Sequence, residues 1–227
     1  MNPFIKELDA LLKQDKEQQV IEQINRSPYV HSIDVLKRLG NAYVRIADYG
    51  NAMQTFQTFF QKTHEKEDAA FVWLNIATIM RFQGHPEKGI VIMQRLLQDY
   101  PEDPVYWAEL ANCYYMADND QEAEQAYNTA RKHINNTCEF NKASIYSDIG
   151  FYYKEKGEVY SAVFYLEIAI FFNPTDRTIL LYLGDAYSDA NKKRLAKETY
   201  LKAKTYYPED LYIQDYVRMQ MEFLGDE

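Results

Sequence analysis

The chain is poor in the residues that make tight turns, with 8 glycines and 7 prolines in 227 residues. A sandwich or barrel needs many such turns, so their scarcity argues against all-β architectures, while the abundance of Ala, Leu, Gln, Glu, Lys and Tyr favours helices. Cysteine is rarer still. Cys113 and Cys138 are the 2 present, too few for a disulfide framework, and Cys113 falls among core-type residues and is expected to be a buried thiol. No stretch approaches the roughly 18 uncharged apolar residues of a membrane-spanning helix. The opening MNPFIKELDALLKQDKE places charges within its apolar pattern and lacks a basic leader, so it is not read as a signal peptide and a cytoplasmic location is expected. Without a secretory route the glycosylation-type triplets at Asn25 and Asn135 carry no meaning.

Positive charge is also in deficit. Lys and Arg number 25 against 34 Asp and Glu, a formal net charge of −9, which repels a phosphate backbone. With no basic run and no zinc-finger cysteine spacing, nucleic acid is excluded as a partner. Catalytic signatures are missing as well: there is no phosphate-cradling G-x4-G-K-[ST], no H-E-x-x-H, no G-x-S-x-G and no G-x-G-x-x-G. His31, His64, His85 and His133 are scattered and read as surface or capping residues, and Glu122 and Glu124 as solvated, so no enzyme, metal or cofactor is expected. What is plentiful is apolar surface, 47% hydrophobic and 15% aromatic residues, ample for a core.

That apolar surface is periodic. Trp73 and Trp107, Gly150 and Gly184, and Pro174 and Pro208 are each 34 residues apart, in three different columns of one pattern. In the stretch WAELANCYYMADNDQEAEQAYNTA the columns are Trp107, Leu110, Ala111, Tyr114, Ala123, Tyr127 and Ala130. Four other segments align on it, giving five copies that begin at 33, 70, 104, 143 and 177, with His64 standing where the first copy would have its proline. Extra residues near 62–66 and 136–140 are expected to lie in loops. Within each copy apolar residues recur at i, i+3, i+4 and i+7, a polar break follows, and a second amphipathic set begins, which reads as helix, turn, helix. Small residues at Gly40, Ala77, Ala111, Gly150 and Gly184 would let the two helices approach closely. The Leu, Trp and Tyr column would fill the space between successive hairpins, where buried tyrosines would find polar partners. Asp118-Asn119-Asp120 replaces glycine at the third turn. Residues 1–32 read as a degenerate capping hairpin, 33–210 as the five repeats and 211–227 as a capping helix.

The pattern W-x2-L-G-x2-Y…A-x3-F…P at this period resembles the tetratricopeptide repeat, over about Ile33 to Pro208. The resemblance implies an all-α, right-handed α-solenoid that holds a peptide or partner helix on a concave surface lined by the first helix of each repeat. Function is then that of a protein-interaction module: adaptor, scaffold or assembly chaperone. Partner-binding residues read from positions between the packing columns are Lys37, Asn41, Arg45, Phe71, Asn75, Arg81, Phe82, Asn112, Tyr115, Met116, Phe151 and Tyr182. Arg38 adds to the cations of the early copies, whereas the late copies and cap offer Asp148, Glu155, Asp185, Asp189, Asp215 and Glu222. A partner with apolar anchors, and acidic residues toward the early repeats, is the expectation. Some members of the family clamp a C-terminal carboxylate with two Asn, two Lys and one Arg. Lys37, Asn41 and Asn75 match three of those positions, but Val105 and Glu109 fill the others, and the glutamate repels a carboxylate. Two alternatives remain: a secretion- or pilus-type chaperone for an apolar segment, and a homodimer formed through Tyr212, Tyr216, Met219 and Phe223 of the cap.

Overall fold

The computed structural model describes residues 2–12, 14, 16–63 and 65–225, so His64 lies outside the described residues. Among the described residues there are thirteen α-helices, one 3-10 turn at Ile134–Asn136, and no strand. A hairpin of α1 (Pro3–Leu12) and α2 (Glu17–Asn25) leads into five more: α3 (Ile33–Arg45) with α4 (Tyr49–Phe60), α5 (Lys66–Phe82) with α6 (Pro86–Asp99), α7 (Pro104–Met116) with α8 (Asp120–Lys132), α9 (Glu139–Glu155) with α10 (Val159–Phe172), and α11 (Arg177–Asp189) with α12 (Lys193–Tyr206). A single helix, α13 (Leu211–Leu224), follows. The chain divides into two compact units, residues 1–101 with 116–118, and residues 102–115 with 119–227.

Local chemistry sets the helix starts. Ser32, Asp48, Asp176 and Asp210 each precede a helix and accept a hydrogen bond from a backbone N–H of its first turn, satisfying donors that no intrahelical carbonyl can reach. Pro86 and Pro104 stand at first-turn positions, where a missing N–H costs nothing. The turn inside each of the five repeats contains one residue in the left-handed region: Ala47, Gly84, Asp118, Gly157 and Asn191, with φ between 55° and 79°. Asp118 thus supplies the geometry that glycine supplies at 84 and 157. Ala47 carries a Cβ there without a compensating side chain, so Ala47→Gly is expected to stabilise unit 1 by about 0.5–1 kcal/mol, and Gly84→Ala to cost a similar amount. Urea midpoints of the two variants check the pair; a fall for Ala47→Gly would refute the strain.

The extra residues near 62–66 and 136–140 lie mainly in the connections, with Lys66, Glu139 and Phe140 already in the helices that follow. Helices α3, α7 and α11 have 13 residues and begin at the repeat starts, whereas α5 and α9 have 17 and begin four residues earlier, at Lys66 and Glu139. Each of these two helices thus gains an additional first turn after the connection, favoured by the acidic residues Glu67, Asp68 and Glu139 near the positive end of the helix dipole.

Close approach within the hairpins follows the small-residue column. A Cβ built at Gly40 would come within 3.0 Å of the Phe56 ring, at Gly150 of Leu166 and at Gly184 of Tyr200, each 16 residues on, in the second helix of the same repeat. In unit 1 the core joins Ile5, Leu8, Val20 and Ile24 of the N-terminal hairpin to Val35 and Leu39 of α3. Leu36, Phe56, Phe59, Val72 and Ile79 form the next layer. In unit 2, Leu166, Leu180, Tyr200, Ile213 and Val217 are essentially inaccessible to water. Cys113 is buried, as expected, and Cys138 is exposed.

One packing column departs from expectation. Leu36 and Leu180 are buried, but Trp73 is 43% exposed and leans edge-on against Phe60. Gln54 and Gln57 on the facing side of α4, and Gln61 just after it, border a cleft of about 520 Å³ instead of closing over the indole.

Candidate functional site: the first-helix faces

In unit 1 the cations expected to meet an acidic ligand are engaged by the chain itself. Lys37 of α3 forms an ion pair with Asp68 of α5 and lies over the rings of Phe59 and Phe71, at 5.5 and 5.3 Å from their centroids. The lysine, with the Thr63 hydroxyl donating at 2.6 Å, holds the Asp68 carboxyl below the usual carboxylate range. Arg38 grips Asp9 of α1 with two nitrogens, at 2.7 and 2.9 Å. Arg45 donates to the Leu12 carbonyl at 2.9 Å and reaches buried Glu17 at 2.8 Å, a contact whose angle is not that of a hydrogen bond and whose attraction is chiefly coulombic. Each cation joins neighbouring first helices or fastens the N-terminal hairpin.

The remaining unit 1 residues fall in two groups. Asn75 spends its amide on the Phe71 carbonyl at 2.8 Å, Phe71 packs edge-on to Phe56 and Phe59, and Asn41 is half-buried. At the far end of α5 the Arg81 guanidinium lies 4.2 Å from the Phe82 ring centroid. Phe82 stacks in turn on Tyr49, with ring planes within 7°. Phe82 is 53% and Met116 49% exposed.

Unit 2 is organised by hydroxyl-to-carbonyl and hydroxyl-to-carboxylate bonds. Tyr127 of α8 donates to Oδ1 of Asn112 at 2.5 Å, and the Asn112 amide donates to Asp148 of α9 at 3.0 Å. Two repeats further, Tyr200 of α12 makes the corresponding bond to Asp185 of α11 at 2.6 Å. Tyr216 of α13 adds its hydroxyl to the same carboxylate, at 2.8 Å. The polar partner of these tyrosines thus comes first from their own hairpin, 15 residues back, and only secondarily from the junction of successive hairpins. Tyr115 meets Tyr152 at right angles, and Phe151 lies 4.9 Å from Tyr182, centroid to centroid.

Burial pushes the Asp185 carboxyl above the ordinary carboxylate range, with the two tyrosine hydroxyls pulling the other way. The Tyr200 and Tyr216 hydroxyls are raised by burial and by donating to that carboxylate. Because the folded pKa of Asp185 exceeds its unfolded value, its protonated form favours folding. That contribution is complete below pH about 4 and is lost as pH rises through the folded pKa. Relative to Asp185→Asn, the wild-type chain is therefore expected to lose stability as pH rises above about 4. Denaturation of both at matched pH values tests this, and a difference independent of pH would count against it.

These features define a class: a helical-repeat protein built of consecutive helix-turn-helix hairpins. Tetratricopeptide repeat family models match residues 83–139 and 179–210. Among solved structures, a thermophilic tetratricopeptide-repeat protein of Thermus thermophilus is similar over 83% of this chain and 98% of its own, at TM-score 0.68 and 18% identity. The Cut9–Hcn1 hetero-tetramer of the APC/C is similar over 93% of this chain and 47% of its own, at TM-score 0.52 and 13% identity. The MamA protein is similar over 78% and 92%, at TM-score 0.50 and 17% identity. No curated protein matches the sequence significantly. The chain thus carries matches to the tetratricopeptide repeat in two segments, on an all-α helical-repeat fold with the general character of a protein-interaction module. No helix among the described residues is long and apolar enough to cross a membrane, and no group of three or more His, Cys, Asp or Glu among them is placed to hold a metal ion.

Proposed function

We propose that the protein is a non-catalytic adaptor, scaffold or assembly chaperone that binds a segment of a partner protein on the first-helix faces of its repeats. The observation that carries this reading is the Phe151–Tyr182 pair of unit 2: two half-buried rings on successive first helices, at positions the repeat pattern leaves variable. Aromatic anchors partly withdrawn from water and bordered by charge are the composition of binding hot spots. Asn112 and Tyr115 flank the pair on α7. In unit 1, Phe82, Arg81 and Asn75 offer a separate and smaller surface.

Selection of random peptides on the immobilised chain tests the reading. Peptides enriched by the wild type are expected to bind a Phe151→Ala/Tyr182→Ala variant about 30-fold more weakly, a typical loss for two hot-spot rings. Circular dichroism confirms that both chains are equally helical. Equal binding to both chains would remove the site from this face.

A second reading, self-association through the last helix, has its own observation. Tyr212, Met219 and Phe223 of α13 are 67%, 55% and 79% exposed along one side of the helix. Light scattering over a concentration series decides it, and a chain that stays monomeric rules it out.

A further inference from the structure

Helix α12 is more basic than any other helix among the described residues. Its 14 residues include Lys193, Arg194, Lys197, Lys202 and Lys204 against one carboxylate, Glu198. The chain's net charge is −9 and α12 contributes +4, so the other residues together carry −13. In sequence these cations are spaced and form no long run, but the helix gathers them. Lys193, Lys197 and Lys204, at i, i+4 and i+11, make one row about 16 Å long, and Arg194 and Leu201 fall beside it within an arc of about 100°. Lys193, Arg194 and Lys204 are exposed, as is Leu201 at 48%. Ala196, Thr199, Tyr200 and Ala203 are the buried side of the helix, so the row lies on its outer side.

The chain leaves this charge uncompensated. Lys193, Lys202 and Lys204 make no side-chain ion pair or hydrogen bond with another described residue. Lys197 donates to the Gly225 carbonyl, which is neutral, and Arg194 lies 3.5 Å from Glu198, with both side chains exposed. In α3, by contrast, Lys37, Arg38 and Arg45 are each held by a carboxylate of another helix. Helix α12 also begins against its own electrostatics. Lys192 precedes it without a capping bond, and Lys193 and Arg194 occupy the first turn with no acidic residue there, at the positive end of the dipole. Lys193 and Lys197 repel each other one turn apart. Local rules broken without a compensating contact are expected at functional positions.

We infer that the outer row of α12 takes an acidic segment of a partner protein, in which Asp or Glu residues flank an apolar side chain that covers Leu201. A short segment meets only the row, and its carboxylates supply the charge that α12 lacks. A membrane surface or a nucleic acid is an extended polyanion and would also bring phosphates against the −13 of the remaining chain. Helix α12 is the second helix of its repeat, so this surface is distinct from the first-helix faces and does not depend on them. The acidic residues expected of a partner toward the early repeats are thereby assigned to the last one.

The experiment is a phage-displayed random dodecapeptide selection on the full chain at low salt, eluted at about 1 M salt, where charge attraction reaches only about 3 Å. Synthetic versions of the eluted peptides are measured against the wild type, Lys193→Gln/Lys204→Gln and Phe151→Ala/Tyr182→Ala. Circular dichroism verifies that the three chains are equally helical. Peptides rich in Asp or Glu beside an apolar residue are expected, with Kd about tenfold higher on the lysine variant and unchanged on the aromatic one. Acidic peptides that lose affinity only on the aromatic variant would overturn the inference and leave the first-helix reading standing. Basic or uncharged peptides, or none, would overturn it as well. Vesicles of phosphatidylserine and phosphatidylcholine and a single-stranded oligonucleotide are run in parallel. Binding of either that is lost on the lysine variant, with no acidic peptide enriched, would assign the row to a phosphate polyanion instead.

Discussion

Gly184→Ala is expected to destabilise unit 2 by about 1–3 kcal/mol, the usual cost of forcing extra volume into a filled core. The new methyl group would stand within 3.0 Å of three atoms of the Tyr200 ring, and Tyr200 is fully buried with its hydroxyl committed to Asp185. The ring cannot swing aside without breaking that bond, and an unsatisfied buried hydroxyl adds about 1–3 kcal/mol of its own. Gly40→Ala meets the Phe56 ring in the same way but strands no polar group, so its cost should be the smaller. The second repeat suggests the remedy, because it has Ala77 and, 16 residues on, Met93, both fully buried. A Gly40→Ala/Phe56→Met double variant is therefore expected to recover part of the loss, since an unbranched thioether can bend around the added methyl. Thermal or urea unfolding of the single and double variants measures this. Gly184→Ala as stable as the wild type would mean that the two helices separate readily and that the small-residue column is not a packing constraint.

Arg45→Met is expected to loosen the N-terminal hairpin selectively, by about 2–3 kcal/mol. Breaking a buried ion pair by removing one partner typically costs about 3–5 kcal/mol. The value here is reduced because Arg45 is 39% exposed while Glu17 is only 6%. Methionine keeps much of the aliphatic bulk, so the effect comes from the lost polar contacts, among them the buried carboxylate left without this cation and the Leu12 carbonyl left without this donor. Hydrogen exchange should speed up in α1 and α2 while α4 to α6 keep their protection. Adding Glu17→Gln should restore most of the loss, because the uncompensated charge is then gone. Uniform acceleration across unit 1 would instead show that the hairpin and the following repeats open as one body.

How much of this was legible in the sequence depends on the separation between interacting residues. The period placed the beginnings of α3, α7 and α11, because apolar columns and a preceding Asp or Ser mark them locally. The extra turns of α5 and α9 were hidden, because Lys66-Glu67-Asp68 and Glu139-Phe140-Asn141 lie outside the apolar columns and have loop-like composition. The chemical types of the proposed binding residues were readable, but their partners were not. Arg38 and Asp9, Arg45 and Glu17, and Lys37 and Asp68 are about one repeat apart. A search for opposite charges at that offset on neighbouring hairpins would have paired them. The tyrosine bonds follow a shorter rule that the sequence does contain: a tyrosine in the second helix, with Asn or Asp 15 residues before it, at Tyr127 and Asn112 and at Tyr200 and Asp185.

The half-exposed indole beside Phe60 has a practical consequence in optical terms. The chain has 2 tryptophans, Trp73 among residues 1–101 and Trp107 among residues 102–115, so each compact unit contains its own emitter. A chain with Trp107→Phe reports on the first unit alone, and one with Trp73→Phe on the second. Fluorescence of the two as denaturant is added reads the cooperativity of the molecule directly: superimposable curves mark a single melting body, and separated curves mark two.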